Sequence, residues 1–279
     1  MPELPEVETT RRFIAPVLEG AIITRVELRR DRMARRNKRP ADVVERLVGR
    51  RVERLGRRGK FLIADVTGDL CWVMHLGMSG RMEIADPGAP ERPHTNFLVE
   101  TDAGREVRFV DPRTFGFVAV FTPDEVASSG LDRIGRDALE DLPSAVDLEA
   151  SLAGRTAPIK ALLLDQRIVA GLGNIYADEV LFRARVHPSA PAGRLEPDAI
   201  ARIRAAIGPV LEDGIAHGGT SLDDLAYLLP DGRAGEYLER LQVYGRQELP
   251  CHRCGTPIER TVIAQRSSHF CPRCQTLPD

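Results

Sequence analysis

Apolar and polar positions divide the chain into a strand-rich first half and a helical second half. A first helix is predicted over residues 5–18, with a proline in its first turn and Gly20 just past its end. Short runs rich in β-branched and aromatic residues then recur between turn residues, a pattern typical of an antiparallel sandwich or barrel. The predicted strands span 21–28, 61–66, 70–76, 81–84, 97–101, 107–110 and 117–121, with a short helix over 41–48.

Beyond residue 122 the pattern changes. Residues 123–149 carry 8 Asp/Glu against 2 Lys/Arg, with scattered Pro, Ser and Gly, which indicates a connection between domains. Helical periodicity follows over 159–166, 174–183, 197–216 and 222–228. We therefore predict an N-terminal β-rich domain over 1–122, a linker over 123–149, a helical domain over 150–240 and a small metal-stapled domain over 241–279.

Composition narrows the class of protein. The chain has 279 residues, of which 43% are hydrophobic and 29% charged, as in soluble globular proteins. Neither a run of roughly 20 apolar residues nor a secretion signal is visible. We expect a cytoplasmic protein without a membrane partner. Aromatic residues are only 5%, so stacking on single-stranded nucleic acid is not favoured.

The net charge of −2 hides a basic block. Residues 25–60 hold 15 Lys/Arg against 5 Asp/Glu, and such a block marks either a face for an anionic partner or a solvated surface. Charge alone leaves both open. Lysine is rare beside arginine, which draws attention to each lysine in the chain: Lys38, Lys60 and Lys160.

Four of the five cysteines form two Cys-x2-Cys pairs separated by 16 residues. This spacing favours one tetrahedral structural zinc ion over two disulfides, because an intracellular chain keeps its thiols reduced. Four thiolates complete the site, so neither His252 nor His269 is needed as a ligand. Cys71 lies in an apolar run and is predicted to be a core residue. The predicted zinc ligands are Cys251, Cys254, Cys271 and Cys274.

Between the cysteine pairs, two β-prone pieces flank a polar turn at 264–268. They predict a two-stranded ribbon whose open end is clamped by the metal. Arg266 would then project from the tip. The ribbon could be a plain stability device, or its arginine could bind a phosphate, and the spacing does not choose between these two functions.

Five blocks together resemble the bacterial formamidopyrimidine-DNA glycosylase family, and they span nearly the whole chain. They are residues 2–9 (Pro-Glu-Leu-Pro-Glu-Val-Glu-Thr), 75–80 (His-Leu-Gly-Met-Ser-Gly), 111–116 (Asp-Pro-Arg-Thr-Phe-Gly), 171–177 (Gly-Leu-Gly-Asn-Ile-Tyr-Ala), and 241–246 (Leu-Gln-Val-Tyr-Gly-Arg) with the four cysteines that follow. The sequence departs from the family pattern at Thr114 and Asn96, which puts fine DNA contacts in doubt but not the chemistry.

The resemblance implies a base-excision repair enzyme that acts as a monomer on damaged double-stranded DNA. It would remove oxidised purines such as 8-oxoguanine and formamidopyrimidines, and then cleave the abasic strand as a lyase by β,δ-elimination. The implied fold is α+β and multidomain. An N-terminal β-sandwich carries a catalytic helix, and a helix–two-turns–helix domain and a zinc finger with one structural Zn²⁺ follow.

The resemblance assigns the chemistry to residues that also make chemical sense. Once Met1 is removed, the Pro2 amine could attack the sugar C1′, since an α-amino group has a pKa of about 8 against about 10.4 for lysine. A frayed terminus is the alternative. Glu3 would protonate the sugar ring oxygen and Glu6 would position the amine, although both could simply favour the helix dipole.

The resemblance also assigns proton donation during elimination to Lys60 and a matching step to Arg266. A phosphate contact is the simpler function for Lys60. Arg266, with a pKa above 12, is better suited to stabilise the departing phosphate than to donate a proton.

The remaining assignments concern DNA. By resemblance, the backbone is held by His75, His94, Arg113, Arg155 and Asn174. The space left by the flipped base would be filled by Met78, Arg113 and Phe115, although the methionine and phenylalanine could equally be core residues. Asn174 opens a predicted helix after two glycines, where backbone amides suit a phosphate.

Two other functions stay open at this point. A related enzyme of the endonuclease VIII type would prefer oxidised pyrimidines; the N-terminal block and a long segment over 219–237, suited to a lid over the flipped base, favour the purine enzyme. A catalytically silent zinc-ribbon DNA-binding protein is the other alternative, and the presence of Pro2, Glu3 and Lys60 argues against it.

Overall fold

The chain forms two compact units, each made from two stretches of sequence. The computed structural model describes residues 1–222 and 227–277. The first unit contains Met1–Arg133 and His217–Leu238, and the second contains Ile134–Ala216 and Glu239–Asp279. Residues 217–238, which the sequence assigns to the helical domain, thus belong to the unit of the N-terminal strands.

Helix α1, Leu4–Leu18, begins the first unit as predicted. Its N-cap residue Glu3 forms a capping box with Glu6, which satisfies backbone N–H groups that the first turn would leave unpaired. Three apolar residues of its inner face, Val7, Ile14 and Leu18, are buried in the core of the unit.

Two four-stranded antiparallel sheets confirm the predicted sandwich. One has the strand order β1-β6-β7-β5 and the other β2-β3-β4-β8. Trp72 and Phe97, from different sheets, lie 6.1 Å apart between ring centroids, so the two inner faces share one core. The strands are β1 Ile23–Leu28, β2 Val52–Arg58, β3 Phe61–Val66, β4 Leu70–His75, β5 Arg81–Ala85, β6 Thr95–Thr101, β7 Glu106–Val110 and β8 Phe117–Phe121.

Strand β2 is the one strand of the sandwich that the sequence does not predict. It has two buried apolar residues, Val52 and Leu55, and a register shift after the first of them. Its third buried side chain is Arg57, which pairs with Glu8 on α1 at 3.3 Å. A buried ion pair between residues 49 apart replaces the apolar alternation by which strands are recognised.

Four α-helices lie among the described residues of the second unit. They are α4 Ala145–Leu152, α5 Ile159–Leu163, α6 Asn174–Ala184 and α7 Pro197–Ala216, while α2 Ala41–Leu47 and α3 Pro123–Ser128 belong to the first unit. The predicted linker is thus partly ordered into α3 and α4, and two short strands, β9 Arg136–Asp137 and β10 Val169–Ala170, pair in parallel. In the predicted helix over 222–228, residues 223–226 lie outside the described part of the chain, and the remaining three are not helical.

The predicted ribbon is present. Strands β11 Glu259–Ile263 and β12 Arg266–Phe270 pair antiparallel around a two-residue turn. Ala264 and Gln265 both have positive φ, of 47° and 61°, the conformation of a type I′ turn, whose twist matches that of the strands. Among the described residues, no helix is long and apolar enough to cross a membrane.

Candidate active site and nucleic-acid contacts

The first turn of α1 buries the predicted catalytic residues of the N-terminus. Pro2 is buried, and Glu3 and Glu6 are each 2% exposed. Glu6 Oε2 accepts a hydrogen bond from the Glu3 N–H at 2.7 Å. The turn is therefore fixed rather than frayed. Met1, in contrast, is 45% exposed, so it is accessible for removal.

The second oxygen of Glu6 holds a segment far along the chain. Oε1 accepts from the Thr220 N–H at 2.8 Å, and a Cβ on Gly219 (φ +80°) would lie 2.7 Å from that oxygen, which explains the glycine. The Tyr227 hydroxyl donates to the Glu6 carbonyl oxygen at 3.3 Å. Burial and the Glu6 charge raise the pKa of Tyr227, which keeps it a donor. The sequence does not predict this link.

The Glu8 carboxylate would suit the helix dipole, but it forms ion pairs with three arginines. Arg11 and Arg12 each lie 2.8 Å from its Oε1, and Arg57 lies 3.3 Å from its Oε2. Burial alone would raise the pKa of Glu8, but these hydrogen bonds and charges outweigh it and lower the pKa. Glu8 therefore ties helix α1 to strand β2 and gives the buried Arg57 its countercharge.

Lys60 lies in the turn between β2 and β3 and is 6% exposed. The preceding residue, Gly59, has φ +56°, and its carbonyl oxygen accepts a hydrogen bond from Arg57 Nη1 at 3.0 Å. The buried arginine thus fixes the turn that carries the lysine.

His75, at the end of β4, is held as a neutral donor. Its ring lies 4.8 Å from the Phe61 ring and stacks at 5.7 Å on Phe117. Nδ1 accepts from the Gly77 N–H at 3.1 Å, which leaves the proton on Nε2. Burial, and then the charge of Lys60, lower the pKa of His75 to about 4. The ring can therefore offer one N–H to a phosphate oxygen but no charge.

The three predicted space-filling residues lie on exposed turns of the first unit rather than in its core. Met78 is 36% exposed and Phe115 is 40% exposed. The guanidinium carbon of Arg113 lies 4.6 Å from the centroid of the Phe115 ring, a cation–π contact. Their exposure is what insertion into a duplex requires.

His94 and Arg155 are exposed. His94 has φ +68°, and Arg155 donates from Nε to the Ser151 carbonyl oxygen at 3.1 Å. The two departures from the family pattern have structural roles. Asn96 is buried and donates from Nδ2 to the Asp111 carbonyl oxygen at 2.7 Å, and Thr114 occupies a left-handed turn position with φ +52°.

In the second unit, Asn174 is the first residue of α6 and contacts the zinc ribbon. Its Nδ2 donates to Ser267 Oγ at 3.3 Å, and its Oδ1 is buried without a hydrogen-bond partner among the described residues. Ser267 directly follows Arg266, which is exposed at the start of β12. The predicted phosphate-binding asparagine and the ribbon tip are thus neighbours.

The third lysine, Lys160, is fully buried. Its Nζ lies 2.7 Å from Asp178 Oδ1 and donates to the Ser267 carbonyl oxygen at 2.6 Å. Asp178 also accepts from the Ser268 hydroxyl at 3.1 Å and from the His269 N–H at 2.9 Å. The pair therefore anchors strand β12 to α5 and α6. The scarcity of lysine in the sequence draws attention to Lys160, but only the structure shows its partners.

Helix α6 also fixes the chain that enters the zinc ribbon. Glu179 accepts hydrogen bonds at 2.9 Å from the backbone N–H groups of Gln242, Val243 and Tyr244. The guanidinium carbon of Arg253 lies 4.2 Å from the centroid of the Phe182 ring. Helix α6 thus contacts the chain before the ribbon at two places, residues 242–244 and Arg253.

The four predicted cysteine ligands converge. Their Sγ atoms all lie within 4.8 Å of one another, and Cys254 Sγ lies 3.4 Å from Cys271 and 3.6 Å from Cys274. These distances exceed an S–S bond of about 2.05 Å. They suit a tetrahedron with Zn–S bonds of about 2.3 Å, in which sulfur atoms are about 3.8 Å apart. In the described part of the chain, neither nearby histidine belongs to this cluster, so it fits one structural zinc ion.

A β-sandwich that buries an N-terminal proline beside two glutamates, followed by a helical unit with a four-cysteine ribbon, defines a zinc-containing DNA glycosylase. Family models match all three parts of the chain: the formamidopyrimidine-DNA glycosylase N-terminal domain over residues 1–118, its H2TH domain over 134–225, and the zinc finger found in FPG and IleRS over 248–277. The chain belongs to the formamidopyrimidine-DNA glycosylase family.

Individual relatives agree over nearly the whole length. The formamidopyrimidine-DNA glycosylase of Moorella thermoacetica is 46% identical over 93% of this chain and 94% of its own, and that of Chloroflexus aggregans is 44% identical over 99% of both. MutM (FPG) from Thermus thermophilus is 40% identical, with a TM-score of 0.88 over 100% of both chains. A Lactococcus lactis FPG mutant in complex with DNA containing Fapy-dG is 34% identical, with a TM-score of 0.90 over 99% of this chain and 100% of its own. The predicted family, enzyme class and zinc cofactor are confirmed.

Proposed function

We propose that this protein excises oxidised purines, 8-oxoguanine and formamidopyrimidines, from double-stranded DNA and then cleaves the abasic strand by β,δ-elimination. The family supports the glycosylase step. The Lactococcus lactis relative, 34% identical, has been crystallised with DNA containing Fapy-dG and with DNA containing an abasic site. We further propose that it acts as a monomer in the cytoplasm, where reduced thiols keep the zinc ligands available.

The buried N-terminal turn is the observation that carries the catalytic part. With Met1 removed, the Pro2 amine is fixed by the capping box instead of moving freely. Its nitrogen attacks C1′, the bond from C1′ to the base breaks, and the base leaves with the electron pair and takes up a proton. Glu3 protonates the ring oxygen as the sugar opens, which leaves an iminium ion between Pro2 and C1′.

Glu6 acts on this step through position. Its two carboxylate oxygens hold the Glu3 N–H and the Thr220 N–H, so it fixes the distance between the amine and the segment that would cover the flipped base. The helix-dipole function is compatible with this one, because Glu3 is the N-cap residue and Glu6 lies in the first turn.

Strand cleavage follows from the iminium ion. Loss of a C2′ proton breaks the C3′–O bond in β-elimination, and δ-elimination then breaks the C5′–O bond. Lys60 moves a proton during elimination; the hydrogen bond from Arg57 to the Gly59 carbonyl oxygen, which fixes the turn of this lysine, supports the assignment. Arg266 stabilises the phosphate that departs, because a guanidinium stays charged and binds phosphate with two N–H groups.

The DNA backbone is held by residues of both kinds, charged and neutral. Arg113 and Arg155 supply charge, whereas His75 supplies a neutral N–H donor, His94 an exposed ring and Asn174 an amide at the start of a helix. Base flipping leaves a gap, which Met78, Arg113 and Phe115 fill. Arg113 has donors but no acceptor, so it tolerates the acceptor edge of cytosine and is repelled by the amino group of adenine.

Borohydride trapping tests the function. Duplexes that carry 8-oxoguanine or an oxidised pyrimidine are incubated with the protein and reductant. A covalent adduct that forms faster on the purine duplex is the expected result. Faster trapping on the pyrimidine duplex would instead favour the endonuclease VIII type, and binding without an adduct on either duplex would favour a silent DNA-binding protein.

A further inference from the structure

One buried carboxylate joins the two loops that carry the space-filling residues. Asp111 is 0% exposed. Its Oδ1 accepts from the Ser79 hydroxyl at 2.7 Å and from the Arg113 N–H at 3.2 Å, and its Oδ2 accepts from the Gly116 N–H at 2.7 Å. A single side chain therefore contacts the loop of Met78 through a hydroxyl and the loop of Arg113 through two amides.

The two loops also touch through their backbones. Gly77 has φ +68°, and a Cβ at this position would overlap the carbonyl carbon of Phe115 and the backbone of Gly116. The approach is possible only because residue 77 has no side chain. A shift of one loop must therefore displace the other.

Two backbone carbonyl groups in the loop of Arg113 are fixed as well. The Arg35 guanidinium donates to the carbonyl oxygens of Phe115 at 2.8 Å and Gly116 at 2.6 Å. The loop has no regular secondary structure, so its conformation depends on these side chains and on Asp111. Arg35, which belongs to the basic block over residues 25–60, thus stabilises the loop of Arg113.

We propose that Asp111 is a positioning residue that makes the two loops enter the duplex as one unit, so that the choice of opposite base by Arg113 depends on the Ser79 hydroxyl. The inference rests on the proposed role of Arg113. Without the hydroxyl, the loop of Met78 loses its bond to the carboxylate. Because this loop touches the backbone of the loop of Arg113 at Gly77, its displacement shifts the backbone from which the Arg113 side chain extends. Ser79 forms its side-chain hydrogen bond with Asp111 and not with the catalytic N-terminus, whose chemistry should continue.

A double-mutant cycle tests the coupling. Asp111→Asn is the obvious variant, but its NH2 group would replace the oxygen that accepts from either the Arg113 or the Gly116 N–H and would endanger the fold. Ser79→Ala, Arg113→Ala and the double variant are therefore used. Single-turnover excision of 8-oxoguanine is measured opposite cytosine and opposite adenine. Arg113→Ala should narrow the cytosine preference, and Ser79→Ala should narrow it by roughly 3–10-fold. In the Arg113→Ala background, Ser79→Ala should change nothing further.

Two controls separate position from general damage. Thr101→Val removes the hydrogen bond of another buried hydroxyl, which donates to the Arg105 carbonyl oxygen in the turn after β6, and should leave the preference intact. Incision of a preformed abasic site opposite cytosine should be unchanged in Ser79→Ala.

The outcomes are distinguishable. An unchanged preference in Ser79→Ala, or an equal loss in both backgrounds, overturns the coupling while the role of Arg113 stands. An unchanged preference in Arg113→Ala overturns that role and the coupling with it.

Discussion

Two short segments each carry one residue of the proposed chemistry, and they are made rigid by different means. The N-terminal turn with Pro2 and the carboxylates of its capping box belongs to a helix whose inner face joins the large core of the sandwich. In the described part of the chain, the small core beside the ribbon that carries Arg266 is a cluster of five buried residues: Phe182, Val243, Cys251, Ile258 and Cys271. So small a cluster cannot offset the entropy of ordering the chain.

The ribbon therefore depends on discrete bonds where the helix depends on distributed packing. A metal closes one end, and the Lys160–Asp178 pair fixes the strand next to the tip. Distributed packing weakens gradually when one contact is lost, whereas a few strong bonds fail completely. Two regions that each hold one side chain in place therefore differ in how they respond to mutation. The N-terminal turn should lose its rigidity gradually, whereas the ribbon should lose it completely.

The largest effect that the contrast predicts is loss of the metal. Cys251→Ser should release zinc and unfold the ribbon, since structural zinc contributes about 10–16 kcal/mol to the folding of isolated finger peptides. Metal analysis should show no bound zinc, and hydrogen exchange should show protection lost over 251–274 but kept in the sandwich. Duplex affinity should fall as well. Full affinity without zinc would mean that the ribbon only stabilises the fold.

A blocked N-terminus should abolish chemistry without disturbing the fold. A protein that keeps an extension ahead of Pro2 lacks the free amine, so incision of an abasic site should slow by about 10⁴-fold, or about 5 kcal/mol in barrier. Pro2→Gly should lose less, because a displaced amine remains. The measurement is single-turnover incision, with duplex affinity as the control. Incision at the normal rate by the blocked protein would contradict the mechanism in which the Pro2 amine attacks the sugar.

The buried ion pair should behave as a unit. Lys160→Met alone leaves the Asp178 carboxylate uncompensated and should cost about 3–5 kcal/mol of unfolding free energy, whereas adding Asp178→Asn should recover much of it. Chemical denaturation of both variants measures this. The double variant should also keep its zinc, because the metal is held independently. Equal losses in the single and double variants would show that the charges do not act on each other.

The smallest effect concerns His75 in the first unit. His75→Gln keeps a neutral N–H donor, so the dependence of duplex affinity on salt should keep its slope, whereas Arg266→Ala should lower that slope by about 1. The lowered pKa of His75 also predicts the direction in which pH changes the stability. Relative to the variant, the wild type should lose stability as the pH falls from about 6.5 towards about 4, where the half-buried ring must take up a proton. A slope reduced by His75→Gln would mean that the ring binds as a cation.

Sequence reasoning succeeds where the signal is local. The bounds of β3, β8 and α7 match the prediction residue for residue, because apolar periodicity and turn residues lie within the segments themselves. The zinc site follows from spacing alone. Strand β2 fails, since its buried residues include an arginine whose partner is 49 residues away.

The same limit applies to the candidate site. Family resemblance supplies residue types such as Pro2 and Arg266, but it does not supply the bonds that hold them. The contact from Glu6 to Thr220 spans 214 residues, and that from Lys160 to Ser267 spans 107. No periodicity in a chain records such pairs, because each depends on the path of the backbone between them.

The return of residues 217–238 to the first unit also sets an order of events during synthesis. When Arg133 leaves the ribosome, both sheets of the sandwich are available, but Thr220 and Tyr227, which hold Glu6, have not yet been made. At about 5–20 residues per second, the roughly 100 intervening residues take about 5–20 s to translate. A nascent chain can therefore form the sandwich early, yet the contacts that hold Glu6 form only when its last quarter emerges. Products that end before this segment would lack these contacts at the N-terminal turn.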